Sequence, residues 1–265
     1  MTKTVAIILV NWKQYAVTAD CIRSLQQMMG IKYDIILIDN KSEDNSAEMF
    51  NRHFPEIRLI EANANLGFAG GNNLGIAYAV RENYDYIMLL NNDTIVEPDF
   101  LAPLISYMEQ HPDTGVIHPL IYFQHDRSLV WNGGSYYNRW LSRTHTPGYN
   151  KRLQPDSTSL QEVDWVTGCA FFTRASIFQE LGMLNDRFFM YYEDVDLSFR
   201  IKKAGYRLMY QPESIIYHIA GMSGKELEKG KEGFIHPMTH YYNLRNRIWI
   251  VRKYTKPYFI PTAVL

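Results

Sequence analysis

Four short apolar runs, each ending abruptly in polar residues, constrain this chain most: Val5 to Val10, Asp34 to Ile38, Ile57 to Ile60 and Tyr86 to Leu90. They are continuous rather than alternating, which predicts strands buried on both faces. Segments with helical apolar spacing separate them: Thr18 to Met29, a stretch opening at Asp44-Asn45-Ser46 and running to about Arg52, and Asn73 to Arg81. A fourth, Asp99 to Gln110, follows the last run. The order β-α-β-α-β-α-β-α predicts an α/β domain with a doubly wound, mainly parallel central sheet. Such sheets bind ligands outside the carboxyl ends of their strands. Those ends read Asn11-Trp12, Asp39-Asn40-Lys41-Ser42 and Asn91-Asn92-Asp93-Thr94. Their side-chain oxygens suit a cation or a ligand hydroxyl, although Asn and Asp are also ordinary turn residues.

A Gly-rich stretch, Asn65 to Gly75, leads into the third helix. Glycine lets a backbone approach a ligand closely, and a helix start offers unpaired N–H groups to anions. The same glycines could serve packing at a loop-helix junction. The spacing is neither that of a Walker A loop nor that of a dinucleotide fingerprint.

Beyond His111 the rhythm changes. Gly115 to Phe123 reads as a strand, and residues 124–160 as irregular loops and short antiparallel strands. Val163 to Thr173 is expected to be a strand with Gly168 at a close backbone approach. Phe188 to Tyr192 runs straight into Glu193-Asp194-Val195-Asp196 at the start of an amphipathic helix reaching Ala204. Acids in a first helical turn favour the dipole, so capping alone could explain them; coming directly after five aromatic or Met residues, Asp194 is the stronger catalytic candidate. Two further strands, Tyr206 to Tyr210 and Ser214 to Tyr217, precede His218. Tyr241 to Arg247 is basic and aromatic, and in helical form places Arg245 and Arg252 on overlapping faces with Trp249.

Composition bounds the class. A chain of 265 residues with 46% hydrophobic content can bury a sizeable core. A net charge of −1 argues against a nucleic-acid partner. Two cysteines, Cys21 and Cys169, are too few for a disulfide framework and point to a reducing compartment. The run at Val5 to Val10 is too short for a signal peptide or a membrane span. The apolar ending Tyr258 to Leu265 suggests that the natural chain continues.

In this order, Val10-Asn11-Trp12, Asp39-Asn40-x-Ser42, Asn65-x-Gly67-x-x-Gly70-Gly71-Asn72, Leu90-Asn91-Asn92-Asp93, Trp165-x-x-Gly168, Phe188 to Leu197, His218 and Arg245-Asn246 resemble family 2 glycosyltransferases of the GT-A fold, in particular the bacterial rhamnosyltransferase-like group. The resemblance implies one GT-A domain over residues 1–240, with a nucleotide-binding half to residue 110 and an acceptor-binding half beyond it, and a tail over 241–265. It implies a nucleotide-sugar donor, with dTDP-rhamnose as a candidate, bound by Asn11, Asp39, Asn40, Ser42, Asn65, Gly67, Asn72, Asn92 and Arg245. Asp93, Asn91 and His218 would hold Mg²⁺ or Mn²⁺ on the diphosphate. Asp194 would be the general base, with Glu193 beside it. Trp165, Gly168, Tyr191 and Tyr192 would face a glycan or lipid-linked acceptor. His118 and His236 match no motif.

That chemistry is an inverting displacement at the anomeric carbon, in which a carboxylate takes the acceptor proton and a cation offsets charge on the leaving diphosphate. One departure stands out: Asn91 occupies the first acid position of the family's D-x-D, and a neutral amide binds hard cations more weakly than a carboxylate does. Two other readings are a catalytically silent carbohydrate-binding module of the same fold and a nucleotidyltransferase. The latter needs a basic triphosphate loop where this chain offers only Lys13. The basic, aromatic tail and a lipid-linked acceptor imply a cytoplasmic enzyme in peripheral contact with the inner face of the plasma membrane. Oligomeric state is not legible in the sequence.

Overall fold

The computed structural model describes residues 3–138, 140–154, 158–219 and 237–255. Strands β1 (Thr4–Asn11), β2 (Lys32–Asp39), β3 (Arg58–Glu61) and β4 (Tyr86–Leu90) alternate with helices α1 (Tyr15–Leu25), α2 (Ser46–His53) and α3 (Gly67–Arg81). The four strands are parallel, in the order β3-β2-β1-β4. A short β5 (Thr94–Val96) precedes α4 (Leu101–Gln110).

The second half widens the sheet. It contributes β6 (Thr114–Phe123), β7 (Leu129–Asn132), a hairpin of β8 (Tyr136–Asn138) and β9 (Arg143–His145), β10 (Lys151–Arg152), β11 (Gln161–Glu162) and β12 (Ala170–Arg174). Helix α5 (Ala175–Leu181), a 3₁₀ turn at Asp186–Phe188, α6 (Glu193–Lys203), β13 (Arg207–His218) and α7 (Pro237–Tyr254) complete it. β12 is wedged antiparallel between β4 and β6. β13 lies parallel to β6 and antiparallel to β5.

The alternation of side chains along each strand sorts the core into two layers. Ile7, Leu9, Leu37 and Met88 face α1, α2 and α4, whose Ile22, Phe50 and Leu104 they meet. Ile8, Ile38 and Leu89 face α3, α5 and α6, against Ile76, Phe178 and Leu197. A strand covered on both faces needs apolar residues at every position, which explains the continuous runs. A third, smaller cluster of Phe188, Val195 and Ile250, flanked by Tyr137, Phe199, Trp249 and Tyr254, seats α7 on this body. The apolar ending Tyr258 to Leu265 and His236 lie outside the described residues.

Four local expectations change. The Gly-rich stretch is the beginning of α3 itself, not a loop before it. Gly71 and Gly75 face Val10 and Ile8 of β1, so their missing side chains let the helix lie close on the strand. The polar edge after β4 continues into β5, because β13 supplies a partner distant in sequence. The two strands expected from Tyr206 to Tyr217 are one, with a register shift between Gln211 and Ile215. The stretch Val163 to Cys169 lies outside the sheet, and β12 begins only at Ala170. Cys21 and Cys169 are buried free thiols, and burial pushes Cys21 up to about 12.

His118 sits within β6, fully buried against the ring of Tyr210. Burial lowers its pKa to about 4, from about 6.5 when exposed. The folded protein therefore excludes a proton that the unfolded chain binds, so stability is full above pH 6.5 and falls as pH drops toward 4. Wild type is expected to lose about 3 kcal/mol more than His118→Phe between pH 7 and pH 4. Urea unfolding of both proteins at the two pH values measures the difference, and parallel losses would contradict it.

Candidate active site

The carboxyl ends of β1, β2 and β4 form one edge, as parallel register requires. Asn11 lies opposite Asp39 across β1 and β2. The Asn11 amide donates to Asp39 Oδ2 at 2.9 Å and to Ser42 Oγ at 3.0 Å. Ser42 donates to Asp39 from its backbone N–H at 2.9 Å and from its hydroxyl at 2.6 Å. These buried groups fix the Asp39 carboxylate at the strand end. Asn40 extends the cluster: its amide donates to Asn65 Oδ1 at 3.1 Å and to the Gly67 carbonyl at 3.0 Å, and its Oδ1 accepts from Leu66 N–H.

Gly67 has φ +68°, and a Cβ there would lie 2.4 Å from the Phe189 carbonyl oxygen. What approaches this glycine is the protein's own 188–192 turn. Asn72 likewise turns inward, its amide donating to the Phe68 carbonyl one helical turn back. Asn92 donates to Thr18 Oγ1 at 2.7 Å and Gln14 Oε1 at 3.3 Å, tying the end of β4 to the start of α1.

Asp93 and His218 face one another across β5 and β13. Their Oδ1 and Nε2 are 3.0 Å apart, and both residues are buried. His218 Nε2 also lies 3.3 Å from Asn91 Nδ2. His218 Nδ1 has no partner among the described residues, and a carboxylate with an imidazole is a donor set that suits a divalent cation, to which Asn91 would add a neutral oxygen with its amide turned over. Among the described residues no group of three His, Cys, Asp or Glu could hold a metal by itself. The set therefore fits a divalent ion that takes its other ligands from a diphosphate and water, as Mg²⁺ commonly does.

Asp194 enters from α6. Its Oδ2 accepts the Gly168 N–H at 2.8 Å and its Oδ1 the Val195 N–H at 2.8 Å. The next residue, Cys169, accepts the Asn91 N–H on its carbonyl at 2.8 Å. Adjacent residues thus bind the carboxylate and the end of β4. A Cβ on Gly168 would lie 3.0 Å from the Phe68 ring and 3.5 Å from Asp194 Cβ, so a side chain there would crowd the contact. Burial raises the pKa of Asp194, and its two backbone donors oppose the rise. Glu193 is raised far more, by burial and then by the charge of Asp194, and its Oε2 lacks a partner among the described residues. Glu193 is the member of the pair that keeps its proton.

Trp165 donates from Nε1 to the Tyr136 carbonyl at 3.0 Å. Tyr192 is hydrogen-bonded to Thr144. Both therefore lie against the β8–β9 hairpin, beside the acidic pair; Tyr191 is half-buried in the same turn.

The family model described as glycosyl transferase family 2 matches residues 4–182. This chain belongs to that family. It is 29% identical over 216 residues to an N-acetylglucosaminyl-diphospho-decaprenol L-rhamnosyltransferase of Mycobacterium tuberculosis, covering 72% of this chain and 68% of the relative. It is 30% identical over 198 residues to the rhamnosyltransferase WbbL of Escherichia coli K12, covering 71% and 73%. A crystal structure of GalNAc-T7 with UDP, GalNAc and Mn²⁺ shares the fold at a TM-score of 0.72 and 17% identity, over 95% of this chain and 48% of that one. The central sheet of this glycosyltransferase is thus that of the GT-A enzymes, a parallel β3-β2-β1-β4 core extended by antiparallel pairings of β12 and β5.

Two residues of this family 2 enzyme take on roles that the sequence did not disclose. Arg245, expected at the donor, donates to the carbonyls of Arg187 and Phe188 at 2.9 and 2.8 Å, among Tyr241, Tyr242 and Trp249. Asn246, fully buried in α7, donates to the carbonyls of Phe188, Met190 and Tyr191 at 2.8–3.0 Å. The turn it grips carries Phe189, Tyr191 and Tyr192 at φ +64°, +69° and +70°. The Arg245-Asn246 pair was visible in the sequence, but its partners are backbone atoms about 55 residues upstream. Asn246→Ala is expected to cost about 1–3 kcal/mol of stability and to lower kcat at least tenfold, because the turn positions Glu193 and Asp194. Thermal unfolding and steady-state kinetics test this; a variant with wild-type values for both would refute it.

Proposed function

We propose that the protein is an inverting transferase that moves a sugar from a nucleoside diphosphate donor to a hydroxyl of a lipid-linked glycan, with a deoxyhexose such as rhamnose the first donor to test. The observation that carries this reading is the pair of backbone bonds at Gly168 and Cys169, which hold the Asp194 carboxylate beside the end of β4. A base must stand close to the carbon from which the diphosphate departs, and on its other side.

Asp39, with Asn11 and Ser42, supplies a fixed acceptor at the β2 end for base or ribose donors. The Asp93–His218 pair, with Asn91, is the place for Mg²⁺ or Mn²⁺, which when bound would neutralise charge growing on the leaving diphosphate. Asp194 takes the acceptor proton. Its burial raises its basicity, while the Gly168 and Val195 N–H groups hold it in one orientation. Glu193, neutral beside it, leaves Asp194 as the ionised member. Trp165, Tyr191 and Tyr192 give the acceptor sugar faces to stack on. The relatives' names support a lipid-linked acceptor, and donors of this kind are cytoplasmic, so the enzyme would act at the inner membrane surface. Among the described residues no helix is long and apolar enough to cross a membrane.

Asp194→Asn is expected to lower kcat by roughly 10²–10⁴-fold while donor binding by calorimetry stays within a factor of a few. Full turnover in that variant would remove Asp194 as base. Asp93→Ala should abolish the gain in donor affinity that Mn²⁺ gives wild type; if Mn²⁺ makes no difference to wild type, the metal assignment is wrong. A thermal-shift screen across sugar nucleotides with Mn²⁺ would identify the donor.

A further inference from the structure

Helix α7 buries one face and exposes large apolar side chains on the other. Asn246, Ile250 and Val251 point into the protein. One helical turn apart on the opposite side, Tyr241, Leu244 and Ile248 are 53%, 62% and 42% exposed. The turn between β8 and β9 adds Trp140 and Leu141, at 66% and 45% exposed. That turn is fixed to the helix: Arg247 Nη2 donates to the Leu141 carbonyl at 3.3 Å, and Ser142 and Thr255 hydroxyls lie 2.6 Å apart. Two elements thus present large apolar side chains side by side.

The helix itself carries charge of one sign, with its Lys253 paired to Asp196 of α6 at 2.6 Å. From Pro237 to Thr255 the chain has Arg245, Arg247, Arg252 and Lys253 and no Asp or Glu, within a protein of net charge −1. Alongside the stripe, Arg187, Arg252 and Lys253 with Asn185, Phe188 and Trp249 line an open cavity of about 280 Å³. An apolar stripe flanked by cations matches an anionic bilayer, whose interface takes up apolar side chains while its headgroups meet Lys and Arg.

We infer that the outer face of α7 and the adjoining Trp140-Leu141 turn form the surface by which this enzyme docks on anionic lipid. This rests on the proposed lipid-linked acceptor only for its purpose, since the surface itself is read from exposure and charge. α7 also holds the 188–192 turn through Asn246, so a docked helix would carry the acceptor side of the cleft to the membrane.

The test uses the full chain and vesicles without any glycolipid, so transfer chemistry is not involved. Wild type should cosediment with vesicles of equal phosphatidylglycerol and phosphatidylcholine, and at least tenfold less with pure phosphatidylcholine or in 0.5 M salt. Leu244→Asp combined with Ile248→Asp should lower binding to anionic vesicles at least tenfold, with melting temperature and donor affinity unchanged. Arg252→Glu should lower it severalfold by charge alone. Binding should shift Trp fluorescence to the blue, and the shift should shrink in Trp140→Phe. Wild type that ignores anionic vesicles, double-Asp protein that binds like wild type, or a dimer broken by the double substitution without vesicle binding would each overturn the inference. Failure of the donor screen with intact vesicle binding would instead count against the proposed reaction.

Discussion

Two consecutive residues carry the geometry on which the cleft depends. The Gly168 N–H holds Asp194, and the Cys169 carbonyl holds the Asn91 N–H. Backbone groups have no rotamers to lose, so a carboxylate gripped in this way keeps its place relative to the end of β4. The Gly168 N–H is available because the stretch before β12 lies outside the sheet, whereas the Cys169–Asn91 bond extends the β4–β12 pairing by one residue. In a continuous strand the Gly168 N–H could be spent on a ladder partner. A Cβ at the first position would press on the Phe68 ring at 3.0 Å, so the Phe68 ring would have to give way for any side chain there.

The turn before α6 shows where stability is given up for this arrangement. Met190 N–H bonds back to the Phe188 carbonyl at 2.8 Å around Phe189, at φ +64° and ψ −61°. That is the rarer, strained form of γ-turn. Tyr191 and Tyr192 follow in positive φ, and each such residue costs on the order of 1–3 kcal/mol. Helix α7 offsets this with Asn246 and with Lys253 and the Tyr254 hydroxyl, which meet the buried Asp196 carboxylate of α6 at 2.6 Å and 2.8 Å, beside its 3.0 Å contact with Arg200. The helix that could be read as a tail is therefore structurally part of the acidic site.

The parallel half of the fold was legible because its signal is local. Each buried strand must be apolar throughout, and each crossover helix must repeat at 3.6 residues. The second half was legible as strands but not in its pairing: Gly115 to Phe123 and the short antiparallel strands carry a local signal, whereas β5 is three residues long and exists only through β13, more than 100 residues later. Among site residues, Asp39, Asp93, Asp194 and His218 stand out as charged or titratable groups at strand or helix ends. Asn246 and the backbone of Gly168 and Cys169 do not, since their roles lie in which carbonyls and carboxylates they meet. The Gly-rich stretch carried an ambiguous signal, for glycine looks the same in sequence whether a ligand or the chain's own backbone comes close. In Gly67, Gly71 and Gly75 the close neighbours are Phe189, Val10 and Ile8.

The adjacent acids Glu193 and Asp194 divide their work by environment. Two neighbouring carboxylates cannot both ionise cheaply in a buried site, so the one with fewer donors holds the proton. Asp194 has two backbone N–H donors from outside its own residue, whereas Glu193 Oε2 meets none among the described residues. Glu193 thus removes a second negative charge from beside Asp194 without removing a side chain from the core. At the end of β4 beside it the charge is likewise single, since Asn91 is neutral and Asp93 alone is acidic. Under the proposed reaction, fewer fixed negative charges would leave an incoming diphosphate with less repulsion to overcome.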